Sequence, residues 1–508
     1  MFQYIRKLYS QCISIYKIKK QLQLIHNVLS THTTIDDLIP DFAKLKQLIF
    51  KCGSIYIKFL QWYISKLKSS IIENDNTLET LNMSKFISYF EDIFENCPHH
   101  SIEHTKKIFK QSQDINDVKL EEYIDISTMK IIASGSIGQV YWATRKVDGL
   151  EIAIKVKHPD IADDLDAQFS IIKLYKFLQS FNYIKKRYML IFNIDDFLFD
   201  IMQQCDFRIE ANNCNKFREN FIDSKDFIVF PEILYQSADI LITNYIPSIP
   251  LEELTQIQYY NITISFVCFF YQMLFVDNFI HGDLHCKNWK VKLSSTGKPQ
   301  LIIFDCGICF SNIDKQLTND FWFSLAKYDI EQLAITLQKF IIETNTTPTL
   351  PGTNIPSHID MSVVITTIFN NILKDSLSIS LVLKSIIHFF TTHNFIIHKF
   401  LINLSILMCV IEEFFKKGDI INRDKPNPYN INMFEIINDN QLDIIAFCNA
   451  NKCYPKVAEL FNEQLDNKFI EYKQNLEHNN INDVKPCNNQ PVLFSSLGLT
   501  SLKFKLPD

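Results

Sequence analysis

Glycine is scarce in this chain, with 10 copies in 508 residues. Six of the ten fall between Gly135 and Gly307, so most of the turns that glycine alone fills well are expected there. Long apolar runs are missing as well. No stretch of about 18 uncharged apolar residues occurs, which argues against a transmembrane helix. The best candidate, Phe400 to Ile411, is closed by Lys399 and Glu412 and reads as a core helix. Positive charge is not in excess. There are 51 Lys and Arg against 57 Asp and Glu, a formal net charge of −6 that argues against a general nucleic-acid binder. A disulfide framework is lacking too. The 13 cysteines are odd in number and scattered from Cys12 to Cys487, a usage that favours a reducing, intracellular compartment. The single C-x-x-C, Cys306 to Cys309, has no second half, so no zinc site is expected.

What is present is a globular composition. Hydrophobic residues make up 47% of the chain, enough for a sizeable core, and the length implies two or three packed units. The N-terminus carries Arg6, Lys7, Lys17, Lys19 and Lys20 with no acid before Asp36, and it lacks the apolar core of a secretory signal. It reads as a basic solvated helix; a membrane-surface or organellar-targeting helix is the alternative. Residues 1 to 125 show helical spacing, broken near Gly53. From Ile131 to Lys157 the pattern becomes two strands around a turn at Asp148-Gly149. Residues 160 to 222 return to helix, and 227 to 246 read as strands. A long apolar helix is expected over 251 to 280, then two strands around "SSTGKP" ending in "LIIFDCG". From about 312 to 475 the chain reads as helical, and the tail from 476 as loop or disorder. Ligands often bind where a small β unit meets a larger helical one.

Four elements carry chemistry. In "ASGSIGQVYWA", Gly135 and Gly138 sit in a turn entering a strand, where small residues let backbone N–H groups approach a phosphate. In "EIAIKV", alternation buries Ile152 and Ile154 and turns Ala153 and Lys155 to the other face, leaving room for something flat beside a positive charge. "HGDLHCKN" places Asp283 five residues before Asn288, the spacing of a loop whose carboxylate orients a substrate proton and whose amide binds a metal ion. A metal site built from His281, Asp283 and His285 would leave Asn288 unexplained. "LIIFDCG" leads four apolar residues into Asp305, as in a strand–Asp-Phe-Gly element that chelates Mg²⁺. Cysteine stands for the phenylalanine.

These stretches together resemble the UbiB family, the aarF-domain or ADCK group of atypical protein-kinase-like proteins, over about residues 45 to 345. That family has an alanine-rich A-A-A-S-I-[AG]-Q-V loop; here it reads Ala133, Ser134, Gly135, Ser136, Ile137, Gly138, Gln139, Val140. A V-x-H-P-like stretch follows the strand lysine as Val156, Lys157, His158, Pro159. The E-x-D-x-x-x-E-A-x-N helix reads Gln204 to Asn213, with Asp206 expected one turn before Glu210 on the same face. The catalytic loop keeps both histidines. The K-x-G-Q helix appears as Lys58, Phe59, Leu60, Gln61, with leucine in place of the glycine.

The resemblance implies an α+β, bilobal kinase-like fold with an N-terminal helical extension. The expected parts are a basic helical segment 1–44, a K-x-G-Q-like extension 45–125, an N-lobe 126–250 with inserted helices, a helical C-lobe 251–475 and a flexible tail 476–508. It implies Mg²⁺ and ATP between the lobes. Lys155, positioned by Glu210, would orient the phosphates; Asn288 and Asp305 would hold Mg²⁺; Asp283 would be the catalytic base. Nucleotide contacts are expected from Ile132, Ala133, Ser134, Gly135, Ser136, Ile137, Gly138, Gln139 and Val140, and from the hinge backbone of Asn244, Tyr245 and Ile246, with Thr243 behind the pocket. The acceptor is open between protein, small molecule and water. The family's association with ubiquinone biosynthesis adds a lipid or membrane contact, and no nucleic acid is expected. No A-P-E segment follows Asp305, which argues against ordinary peptide docking. Two alternatives remain: a small-molecule kinase of the aminoglycoside or choline type, and a nucleotide-binding pseudokinase scaffold.

Overall fold

The computed structural model describes residues 2–32, 35–70, 78–94, 97–113, 115, 118–159, 161, 194–284, 287–311, 314–327, 329–344, 360–372, 379–392, 395–421 and 441–464. The 476–508 tail, residues 162–193 of the inserted helices, and His285 lie outside the described residues.

The small lobe is one antiparallel sheet. Strands β1 (Ile124–Ser134), β2 (Gly138–Arg145) and β3 (Glu151–Lys157) come first, followed along the chain by β4 (Ile228–Val229), β5 (Ile233–Gln236) and β6 (Ile240–Asn244). The order in the sheet is β1-β2-β3-β6-β5. β4 instead pairs in parallel with a strand of the large lobe, so the segment 227 to 246 is shared between the two lobes. The β2–β3 turn closes where expected, with Gly149 at φ 71° and its N–H donating to the Arg145 carbonyl at 2.9 Å. β1 starts at Ile124, seven residues before the alternation becomes apolar at Ile131 and inside the segment expected to be helical. As an edge strand it pairs with β2 alone, and residues such as Asp125, Ser127 and Lys130 mask its strand character.

The large lobe is built on the helix Gln256–Tyr271, which Thr255 starts with a capping box to Gln258. Its apolar residues are buried all round, from Ile262 to Tyr271. With its wider-turn continuation to Val276 it is long and apolar enough to cross a membrane by length and composition. This makes it a longer candidate than Phe400–Ile411, but 78% of its most apolar window is buried inside the protein, as befits a core helix. The helical reading of 251 to 280 therefore stops short. Asn278 takes a left-handed φ of 46°, and β7 (Phe279–His281) follows. β8 (Trp289–Leu293) and β9 (Pro299–Ile303) then form a three-stranded sheet with β4, and β10 (Cys309–Ser311) pairs with β7. Within 312 to 475, expected to be helical throughout, β11 (Ile341–Thr344) and β12 (Phe395–Ile397) pair antiparallel.

The extension helices Phe42–Cys52 and Ser54–Ser70 meet at Gly53, whose φ of 106° ends the first helix. Phe42, Leu45, Leu48, Leu60, Ile64, Ile87, Phe90 and Ile93 make a separate core here. Leu60, in place of the motif glycine, is therefore a core residue of the extension. Helix Ser54–Ser70 also packs against the large-lobe helices Ile379–Thr392 and Lys399–Ile421. The extension is thereby fixed to the large lobe.

Gly138 is needed for packing. A Cβ there would stand 2.8 Å from the Val156 carbonyl oxygen and 3.0 Å from the Phe207 ring, whereas at Gly135 the nearest atom is 3.7 Å away. Gly138→Ala should cost about 1–3 kcal/mol in urea unfolding, and Gly135→Ala less than about 1 kcal/mol. Equal costs would contradict this assignment.

Candidate active site

Lys155 sits on β3, opposite Val140 on β2 and Leu241 on β6. Alternation buries Ile152 and Ile154 completely behind the sheet and leaves Ala153 and Lys155 half-buried on the side facing the large lobe. The Lys155 ammonium donates to both oxygens of Glu210, at 3.0 and 2.8 Å, and lies 3.5 Å from Asp305 Oδ1. Burial works against its charge, but Asp305 and Glu210 outweigh burial and hold its pKa above the usual lysine range. Burial lifts the Glu210 carboxyl to about 7, against the pull of Lys155 and with the push of Asp305.

Glu210 comes from the helix Phe207–Asn220. Asp206 caps that helix, accepting from the Arg208 N–H and pairing with the Arg208 side chain, so it does not share a face with Glu210 in the cleft. Asn213, on the same helix as Glu210, reaches the loop after β9. Its Nδ2 donates to the Cys306 carbonyl at 2.9 Å. The Gln204 side chain approaches Gly307 in the same loop.

The loop after β7 carries Asp283 and Asn288. His281 is buried and kept neutral by burial, below the usual histidine pKa. Its Nε2–H donates to the Phe304 carbonyl at 3.2 Å, and its Nδ1 accepts the Asp283 N–H at 3.3 Å. Asn288 Nδ2 donates to the Asp283 carbonyl at 2.8 Å, which leaves the amide oxygen as the group able to ligate. The register Trp289↔Ile303 and the 2.8 Å bond from Phe304 N–H to the Asn288 carbonyl set Asn288 beside the segment that ends in Asp305. Asp305 itself is left-handed, at φ 50°, a strained backbone of the kind stored at functional sites. An amide oxygen and one carboxylate suit Mg²⁺, which takes few protein ligands when phosphate oxygens complete its shell. The residues present therefore fit that ion.

The Lys58 ammonium of the extension donates to Asp283 Oδ2 at 3.1 Å. One turn on, Gln61 is buried, donating to the Ile93 carbonyl at 2.7 Å and accepting from Ser136 Oγ at 2.9 Å. The i,i+3 spacing of Lys58 and Gln61 thus spans from the catalytic loop to the loop between β1 and β2. Within that loop, several expected nucleotide contacts turn elsewhere. Ser134 Oγ donates to the Pro98 carbonyl, Ile137 is buried in the core, and Gln139 is fully buried beside Tyr141. Ile132 is exposed at the end of β1 and Val140 is half-buried on the Lys155 side of the sheet. Ala133 and Gly135 supply backbone in this loop, and the Ser136 and Ile137 N–H groups take no partner among the described residues. At the hinge, the Tyr245 N–H is engaged by the Glu151 carbonyl at 2.9 Å and the Asn244 N–H by Glu232, so neither donor faces the cleft. The Ile246 N–H has no partner among the described residues.

A five-stranded lobe with a lysine–glutamate pair, set over a helical lobe whose paired strands present Asn288 and Asp305, defines a bilobal protein-kinase-like fold. Residues 92–337 match the ABC1 atypical kinase-like domain. The chain is 30% identical over 250 residues to "Probable serine/threonine-protein kinase abkC" of Dictyostelium discoideum, covering 48% of this chain and 34% of that protein. It is 24% identical over 331 residues to "Probable protein kinase UbiB" of Shewanella piezotolerans, covering 58% and 57% of the two. This chain therefore spans a third to just over half the length of those relatives. A solved Rv3197–erythromycin complex from Mycobacterium tuberculosis shares 18% identity at a TM-score of 0.36, covering 57% of this chain and 71% of that one. At that score it carries no argument, and the fold assignment rests on the topology above. The matched residues 92–337 and the relatives named UbiB and ABC1 support the UbiB/ADCK family of atypical protein-kinase-like proteins for this domain.

Removing the cation from between two carboxylates should be costly. Lys155→Met should lower the unfolding free energy by about 3–5 kcal/mol, and Lys155→Met/Glu210→Gln should recover part of the loss in denaturant titration. No loss in the single variant would contradict the geometry.

Proposed function

We propose that the chain binds Mg-ATP between its lobes and transfers the terminal phosphoryl group to water or to a small, lipid-like acceptor. The observation that carries this reading is the Lys155 ammonium, shared between Glu210 and Asp305. A bound Mg²⁺–ATP supplies the transferable group and neutralises charge on its oxygens. Glu210 fixes the Lys155 side chain so that its charge meets phosphate without reorganisation. Asn288 and Asp305 hold the metal. Val140 and Ala153 line the adenine side, and the Ile246 N–H is the hinge donor.

Asp283 is the proton acceptor in this reading. The Lys58 ammonium sits 3.1 Å from its carboxylate and occupies it, so the extension must yield before Asp283 serves. The extension also occupies the space beside Asp283. That favours water or a slender acceptor over a docked protein, and a membrane surface is a natural place for the extension to be displaced. The family's link to quinone and lipid metabolism supports the same acceptor class.

The test is ATP turnover with and without anionic liposomes. Asp283→Asn and Asp305→Asn should each reduce turnover by a factor on the order of 10² or more. Liposomes should stimulate the wild type and neither variant. Turnover by Asp305→Asn equal to wild type would overturn the reading.

A further inference from the structure

Six polar groups outside the cleft form a continuous hydrogen-bond circuit behind the phosphate loop. His158 Nε2 meets the Gly135 carbonyl at 2.9 Å, and His158 Nδ1 meets His100 Nδ1 at 2.8 Å. His100 Nε2 meets Thr105 Oγ1 at 2.9 Å, and that hydroxyl meets the Tyr141 hydroxyl at 2.8 Å. Gln139 Nε2 donates to Tyr141 at 2.5 Å, and Gln139 Oε1 accepts the His100 backbone N–H at 3.0 Å. Thr105, Tyr141, Gln139 and His158 are all at least 95% buried.

With both histidines neutral, the shortest contacts set one direction for the protons. A carbonyl only accepts, so His158 carries its proton on Nε2. A neutral His158 then presents a bare Nδ1, so His100 carries its proton on Nδ1. A neutral His100 presents a bare Nε2, which takes the Thr105 proton. Thr105 in turn accepts from Tyr141, and Tyr141 from Gln139. A second proton on His100 would reverse Thr105 and leave the Tyr141 hydroxyl proton without an acceptor in a buried site, at a cost.

The circuit lies on the sheet face of Gln139 and Tyr141, opposite that of Val140, which pairs with Lys155. His158 therefore pulls the Gly135 carbonyl away from the cleft. The peptide is planar and trans, so the Ser136 N–H points the other way, toward the Lys155 side. Ser136 and Ile137 N–H are the loop donors that take no partner among the described residues. Two such successive donors make an anion-binding concavity.

We propose that His158, held by His100, is a positioning residue that aims the Ser136 and Ile137 N–H groups at the phosphates of the bound nucleotide. This rests on the Mg-ATP reading above. The ligand class is a nucleoside di- or triphosphate, and adenosine, with no phosphate, is the control.

The test measures dissociation constants of the full chain for Mg-ATP and for adenosine. Losing one aimed donor set should weaken Mg-ATP about tenfold in His158→Phe, with adenosine changed less than about twofold. His158→Gln keeps a donor for Gly135 and an acceptor for His100, so it should recover most of the affinity. Tyr141→Phe, which opens the circuit far from the loop, should weaken Mg-ATP about threefold and spare adenosine. Unchanged Mg-ATP affinity in His158→Phe, equal losses for both ligands, or no recovery by His158→Gln would overturn the proposal. If His158→Phe does not fold, Tyr141→Phe decides by the same contrast. A wild type that binds Mg-ATP no tighter than adenosine would instead sink the Mg-ATP reading itself, whatever the variants do.

Discussion

A half-buried ammonium needs negative partners, and Lys155 finds them on two separate elements. Glu210 comes from the helix Phe207–Asn220 and Asp305 from the loop after β9. One charge thus ties the small sheet, its bracing helix and the metal loop into one geometry. Glu210 is costly to bury there without the cation, and the cation is costly there without its carboxylates. Asn213 strengthens the same triangle by holding the Cys306 carbonyl from the helix that supplies Glu210. What looks like a catalytic constellation is therefore also the clamp that sets one lobe against the other.

The extension is a second constraint on the same cleft. Lys58 pairs with Asp283, Gln61 holds Ser136, and the segment from Cys97 to His100 runs along the start of the phosphate loop, with the Cys97 N–H donating to Ser134 at 3.0 Å. Helix Ser54–Ser70 leans on the large lobe while its polar residues grip loops of both lobes. Such a brace joins loops of both lobes and covers one side of Asp283. It also makes the loop geometry depend on residues outside the kinase-like lobes.

Much of this was legible in the sequence because the chemistry sits in short runs. The lysine strand, the Asp283–Asn288 spacing and the Asp305 turn each need a fixed local backbone, and the chain writes them contiguously. The Gly53 break and the Gly149 turn were equally local. Long-range partners were not legible. Lys58 belongs to a short local motif, yet its bond to Asp283 spans 225 positions. His100 has no local signal, because only the folded sheet brings it against His158. Asp206 shows the reverse error: its spacing from Glu210 suggested a shared face, but an N-cap residue leaves the helical path and turns to Arg208. The place of Ser134 and Gln139 in the loop suggests nucleotide contacts. The strand alternation sends them behind it. β1 escaped partly because an edge strand's outer residues are polar, and β11 and β12 because runs of four and three residues are too short to show alternation.

The proposed Mg-ATP site requires that Asn288 and Asp305 hold a divalent ion only together with nucleotide phosphates. Mn²⁺ binding followed by electron paramagnetic resonance, with and without ADP, tests it directly. The account expects tight Mn²⁺ binding by the wild type that requires ADP and is lost in Asp305→Asn. Tight Mn²⁺ binding without nucleotide, or binding with ADP that survives in Asp305→Asn, would contradict it.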